Sequence, residues 1–168
     1  MQRRVLLSLT ASAAVLGLAG CCFALRKAPN FAFTTLFSSL AETSPLGVEL
    51  RRSLESTRKV KVISDPRRIG EAQAVLDVLA DQREKVVLST NAAGQVREFK
   101  LRLRFRFRLR TLAGKELIPD TEILQERDIS FNESAVLAKE AEEGLLYRDM
   151  QSDIVQQIMR RLAAVTEL

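Results

Sequence analysis

The chain has 168 residues, 46% of them hydrophobic and 28% charged, with a formal net charge of +5. That balance is ordinary for a globular protein and excludes wholesale disorder, while a single short apolar stretch near the N-terminus excludes a polytopic membrane protein. There is no His and the two Cys are adjacent, which removes the commonest general base, every Ser-His-Asp or Cys-His arrangement, and CxxC zinc spacing.

Met1 to Gly20 reads as a secretory signal, with Arg3 and Arg4 as its basic start and Val5 to Leu18 as its mostly apolar centre. It is shorter than the roughly 20 apolar residues a spanning helix needs. An ordinary cleaved signal leaves the Cys of Leu18-Ala19-Gly20-Cys21 unexplained. Those four residues resemble the lipobox of bacterial lipoproteins, and the resemblance implies a lipid on Cys21. There the sulfur receives a diacylglycerol, cleavage follows, and the freed amine is acylated (palmitate). Several acyl chains anchor firmly where one binds only marginally. Cys22, preceded by a Cys rather than a small residue, fits the lipid site less well. In enteric-type sorting an Asp after the lipidated Cys resembles an inner-membrane retention signal, so Cys22 favours the outer membrane. Residues 1–20 are therefore expected to be the signal, 21–30 a lipidated tether, and 31–168 a single domain.

Phe31 to Leu36, aromatic and β-branched, predicts a first strand. Ser44-Pro45 opens a helix, Ser44 as N-cap and Pro45 in the first turn, and Leu46, Leu50 and Leu54 make its apolar stripe. Val60 to Ile63 suits a short strand and Asp65-Pro66 a cap and turn. Three long strands follow: Ala74 to Thr90, Gln95 to Thr111 and about Glu116 to Phe131, with turns at Asn91-Ala92-Ala93-Gly94 and Ala113-Gly114. Pro119 suggests an edge or a bulge. A helix over Ser134 to Val165 carries Leu146, Met150, Ile154, Ile158 and Leu162 on one stripe.

The second long strand alternates Phe99, Leu101, Leu103, Phe105, Phe107 and Leu109 with Lys100, Arg102, Arg104, Arg106, Arg108 and Arg110. Period two puts the apolar row toward the helices and the cations on the other face. If the first turn pairs Thr90 with Gln95, Asp77 meets Arg108 and Asp81 meets Arg104. If the second pairs Thr111 with Lys115, Asp120 meets Arg106, Glu122 meets Arg104 and Glu116 meets Arg110. Most of the ladder is then neutralised by cross-strand pairs of modest value. In this register Arg102 faces Arg83 and Leu124, and Lys100 faces Lys85 with Glu126 its sole opposing acid. Arg83, Lys85, Lys100 and Arg102 are thus the candidate anion site, since Arg forks and Lys point charges both suit phosphates.

Taken in order, the motifs resemble those of LPS-assembly lipoproteins of the LptE type. They are Cys21-Cys22-Phe23-Ala24-Leu25-Arg26 after the lipobox, Ser44-Pro45-Leu46-Gly47-Val48-Glu49-Leu50-Arg51-Arg52, and Gly94-Gln95-Val96-Arg97-Glu98-Phe99. Leu137-Ala138-Lys139-Glu140, Leu145-Leu146-Tyr147-Arg148-Asp149-Met150, Gln156-Gln157-Ile158 and Arg160-Arg161-Leu162 complete the set. Cys22 and Lys27 depart from the family's usual Gly. The resemblance implies an α+β fold: a two-layer α/β sandwich, with an about four-stranded, mostly antiparallel sheet and two helices packed on one face. The sequence itself shows no metal, redox or cofactor site, and the resemblance implies no catalysis. Its implied partners are the large outer-membrane β-barrel of the LPS translocon (LptD type), which the lipoprotein plugs and helps assemble, and lipopolysaccharide (LPS) itself. The location is the periplasmic side of the outer membrane, held by the lipid. The phosphates of lipid A and inner core are the ligand expected at the basic sheet end, with Lys139 a further LPS-binding candidate or else a solvated first-turn lysine. The alternative is a general periplasmic scaffold lipoprotein that does not bind LPS directly. A basic sheet also suits nucleic acid, but an export signal argues against it.

Overall fold

The computed structural model describes residues 29–168, so the signal, Cys21 and all but the end of the tether lie outside the described residues. Its elements in chain order are β1 (Thr35–Ser38), α1 (Pro45–Ser56), β2 (Lys61–Ile63), a 3-10 turn (Pro66–Glu71), β3 (Ala74–Thr90), β4 (Val96–Thr111), β5 (Glu116–Ser130), a second 3-10 turn (Glu133–Ala135) and α2 (Val136–Ala163). The long elements fall where the periodicities place them, and β1 starts later than the aromatic run predicts. Ser44 caps α1 by accepting from the Gly47 N–H at 3.3 Å, with Pro45 at the first turn. Asp65 caps the 3-10 turn by accepting from Arg67 N at 3.0 Å. Both hairpin turns reach positive φ at a glycine, 80° at Gly94 and 94° at Gly114, where a Cβ would strain the backbone.

The sheet order is β2-β1-β3-β4-β5. β1 runs parallel to both β2 and β3, while β3, β4 and β5 form an antiparallel meander. The sheet thus has five strands rather than the four expected. The three-residue β2 extends it at the edge, where the residues suit the short strand over Val60 to Ile63 that the four-stranded pattern implied by the resemblance leaves out.

Both helices pack on one face. The α1 stripe of Leu46, Leu50 and Leu54 and the α2 stripe of Met150, Ile154, Ile158 and Leu162 share one core with Leu101, Leu103, Phe105, Phe107 and Leu109 of β4. Each of these fully buried side chains contributes roughly 1.5–3 kcal/mol through removal from water. The helices run side by side in the same direction. Gln151 donates to the Pro45 carbonyl at 3.2 Å and Ser152 to Glu49 at 2.6 Å, so both C-termini reach the same end. A second, small cluster of Phe37, Ile63, Ala72 and Val75 lies apart from this core.

At the end where β3 begins, the pairing follows the expected register, with Leu76 opposite Leu109 and Asp77 opposite Arg108. Leu79 is then an extra residue on β3, and every pair from Ala80 to Val87 is displaced by one. On β5 two irregularities beside Pro119 displace the pairing by two, from Arg110 opposite Glu116 to Phe107 opposite Thr121. Pro119 has no N–H to give the ladder, and bulges beside such a residue absorb the added twist.

Candidate functional site

The face of β4 turned away from the helices carries Lys100, Arg102, Arg104, Arg106, Arg108 and Arg110. Asp77 accepts from Arg108 Nε at 3.0 Å and from Arg110 Nε at 2.8 Å. Burial alone would raise the Asp77 carboxyl, but the two guanidinium hydrogen bonds hold it below the ordinary carboxylate range. Hydrogen bonding from Arg106 likewise depresses Asp120. Further along, Arg102 Nε donates to Glu126 at 2.7 Å, and Lys100 Nζ lies 3.6 Å from Glu126 and 3.9 Å from Asp128. Arg104 is the least engaged, 3.9 Å from Glu122, and its Nε is buried with no hydrogen-bond partner. Every cation of the ladder therefore has a carboxylate within 4 Å.

This overturns the uncompensated basic end. Arg102 faces Glu84 and Glu126 rather than Arg83 and Leu124, and Lys100 faces Val86 and Asp128 rather than Lys85. Arg104 faces Gln82 and Leu124 rather than Asp81 and Glu122, and Arg106 faces Glu122 while keeping Asp120 as its ion-pair partner. A one-residue slip moves each side chain of a strand to the opposite face. The bulge at Leu79 therefore carries Arg83 and Lys85 to the helix side. The two-residue shift on β5 keeps the faces and exchanges the partners.

On the helix side the Arg83 guanidinium lies 3.4 Å from the centre of the Tyr147 ring, and Lys85 Nζ lies 2.6 Å from Glu143 and 4.3 Å from the Phe99 ring centre. A cation over an aromatic face is held by the ring quadrupole. Tyr147 donates to the Glu84 carbonyl at 2.6 Å, and burial raises its phenol above the ordinary value against the pull of Arg83. Lys139 Nζ donates to Ser130 Oγ at 2.9 Å and Glu142 at 2.8 Å, tying the start of α2 to the end of β5. The five LPS-binding candidates are thus divided: Lys100 and Arg102 share Glu126 on the open face, Arg83 and Lys85 meet α2, and Lys139 lies at the strand-to-helix junction.

A cleft of about 220 Å³ opens between the start of α1, β3 and α2, with Ser44, Asp81, Arg83, Tyr147 and Gln151 among its walls. Ser44 Oγ donates to Asp81 Oδ2 at 3.1 Å across it. The sequence pattern did not reveal this cleft. Its one signal was Tyr147, the single tyrosine of the chain, within the Leu145-Leu146-Tyr147-Arg148 motif. Among the described residues no group of His, Cys, Asp or Glu could hold a metal ion, and no helix is long and apolar enough to cross a membrane.

A one-sided helical layer, an open sheet face of paired charges and a long β-meander define a class of small two-layer α+β domains. The chain is similar to the solution structure of uncharacterized lipoprotein B from Nitrosomonas europaea, with 34% identity, TM-score 0.71, and 86% of this chain and 92% of that one covered. It shares its fold with rare lipoprotein B from Shewanella oneidensis, at 24% identity and TM-score 0.60 over 78% and 93% of the two chains. It also shares it with a minor lipoprotein from Acinetobacter baumannii, at 19% and 0.62 over 80% and 94%. No curated protein sequence matches it. The family model described as LptE, lipopolysaccharide-assembly, matches residues 33–162, and the chain belongs to that family. It is an LPS-assembly lipoprotein.

Proposed function

We propose that the chain is the lipid-anchored subunit of the outer-membrane LPS translocon, attached through Cys21 on the periplasmic side. In this reading it binds a large β-barrel partner, helps that barrel assemble, and contacts LPS on its way to the outer leaflet. It acts by binding, without a reaction of its own. The observation that carries the reading is the family match across nearly the whole folded domain. The open sheet face adds support. Its charges are paired within the chain, so it can enter a wet, polar lumen without the desolvation cost of bare cations.

The far end of the meander suits LPS chemically. Arg83, Lys85, Lys100, Arg102 and Lys139 lie there beside the exposed apolar Val86, Val87, Leu88 and Leu137. Cations answer phosphates and apolar side chains answer acyl chains. Copurification from detergent-solubilised outer membranes is the test: a large barrel protein and LPS accompany the chain. A chain that elutes alone removes the translocon reading.

A second reading, a scaffold lipoprotein without LPS contact, draws on one observation. Lys85, Lys100, Arg102 and Lys139 each already have a carboxylate within 4 Å, and Arg83 is stacked on Tyr147. Absence of LPS binding to the purified protein favours this alternative, whereas binding that is lost with Lys139 and Lys85 together favours a local LPS site.

A further inference from the structure

The other end of the molecule carries cations that the ladder's carboxylates do not reach. The chain enters the domain here: Lys59 Nζ donates to Asn30 Oδ1 at 3.2 Å, beside the turn from α1 to β2. Lys61 begins β2 opposite Thr35, and Ala74 at the start of β3 pairs with Thr111 at the end of β4. All these strand ends, and the C-termini of both helices, therefore form one surface. Arg58, Lys59, Lys61 and Arg160 are exposed on it, and Arg161 is half-buried. None of the five has a carboxylate within 4 Å among the described residues, in contrast to every cation of the β4 ladder. The acids at this end include Glu55, Glu71, Glu116 and Glu167; Glu71 is taken up by Arg68 at 2.7 Å, and Glu116 and Glu167 line an open groove with Arg161 without coming within 4 Å of it. Arg160 and Arg161 also complement the negative end of α2. Leu112, 46% exposed, projects from the β4–β5 turn at the same end.

From Cys21 to Asn30 the chain can span at most roughly 30 Å. If the lipid is on Cys21, this end is the part of the domain held beside the bilayer, and Arg26 and Lys27 in the tether add two more cations. We propose that the tether end is a headgroup-binding surface for anionic phospholipids, formed by Lys59, Lys61, Arg58, Arg160 and Arg161. Charge complementarity and the point of chain entry support the same occupant. Bound this way, the domain meets the leaflet with its tether end.

The orientation rests on the lipid-anchor reading, but the headgroup binding is tested without it. Among the described residues the buried core side chains all lie between Phe33 and Leu162, so the chain from Cys21 onward, made without its signal and hence without acyl chains, keeps that core. It is sedimented with vesicles of phosphatidylcholine alone or with phosphatidylglycerol added. Binding is expected only with the anionic lipid, and it weakens with salt. Each cation near such a surface contributes about 1 kcal/mol, roughly fivefold. Lys59→Gln with Lys61→Gln is therefore expected to weaken binding about 25-fold. Arg97→Gln with Arg148→Gln, an equal change in net charge away from this end, leaves it within about twofold. Equal losses in the two variants, or no binding to anionic vesicles, overturn the proposal. Fatty-acid labelling of Cys21 tests the anchor separately.

Discussion

Asp77 is the carboxylate on which the ladder's folded geometry depends most directly. Its side chain is 20% exposed and sits between Arg108 and Arg110. Replacing it by Asn keeps the shape and removes the charge. A hydrogen bond to a charged group contributes roughly 1.5–3 kcal/mol net, and Arg110 is itself only 28% exposed, so solvent screens this pair little. Arg108, 49% exposed, adds less. Asp77→Asn is therefore expected to cost about 2 kcal/mol, which for a domain of this size lowers Tm by about 6–8 °C. The pH dependence fixes the sign. The folded Asp77 carboxyl titrates below its unfolded value, so its contribution is fully present above about pH 4 and disappears as pH falls through the lower folded value. Asn does not titrate, so the gap in Tm between the two proteins closes in that acidic window. Thermal melts by circular dichroism between pH 7 and pH 3 make the comparison. A double-mutant cycle with Arg110→Gln is expected to show coupling of about 1 kcal/mol or more. A gap below about 1 °C at pH 7, or one that widens in acid, would refute the reasoning.

The bulged register makes its own prediction: Arg102→Asp adds a carboxylate beside Glu84 and Glu126, whereas Arg104 faces Gln82 and Leu124. Arg102→Asp should melt lower than Arg104→Asp, and the reverse order in matched melts speaks for an unbulged pairing. Ile154 is fully buried in the α2 stripe, so Ile154→Asp places an unpaired charge in the core and is expected to cost about 4 kcal/mol or more; an unchanged denaturation midpoint contradicts the packing of α2 on the sheet. Cys21→Ala should abolish fatty-acid labelling, and undiminished label on that variant assigns the anchor elsewhere.

The elements were legible because each long segment shows a single burial pattern. One face of β4 is dry and the other carries paired charges, so its alternation gives both its length and its orientation. The caps at Ser44 and Asp65 were legible for a local reason, since each satisfies donors within three residues of itself. The register beyond Leu79 was not. Val78, Leu79 and Ala80 are all apolar, so nothing in the pattern marks which residue is extra. Beyond it the helix-facing positions of β3 are Asp81, Arg83 and Lys85, charged because β3 there meets Tyr147 and Glu143 rather than the core. Pro119 did signal an irregularity, but not that the pairing would move by two. The site depended on that register. A one-residue slip was enough to part Arg83 and Lys85 from the face of Lys100 and Arg102 and to create the Arg83–Tyr147 stack.

The central claim is that this domain works against a large barrel partner with its sheet face uncovered by the chain itself. Leu124, 42% exposed on that face, is the position at which to test it. A photo-activatable benzophenone residue at Leu124, irradiated in intact cells, should yield one high-mass adduct with an outer-membrane β-barrel protein. The same probe at Val48 on the outer side of α1, also exposed at 41%, reports whether the helical layer is enclosed as well. Adduct at Leu124 with a barrel protein is the expected result. Its absence at Leu124, in cells where the lipidated chain is present at normal level, would contradict the account.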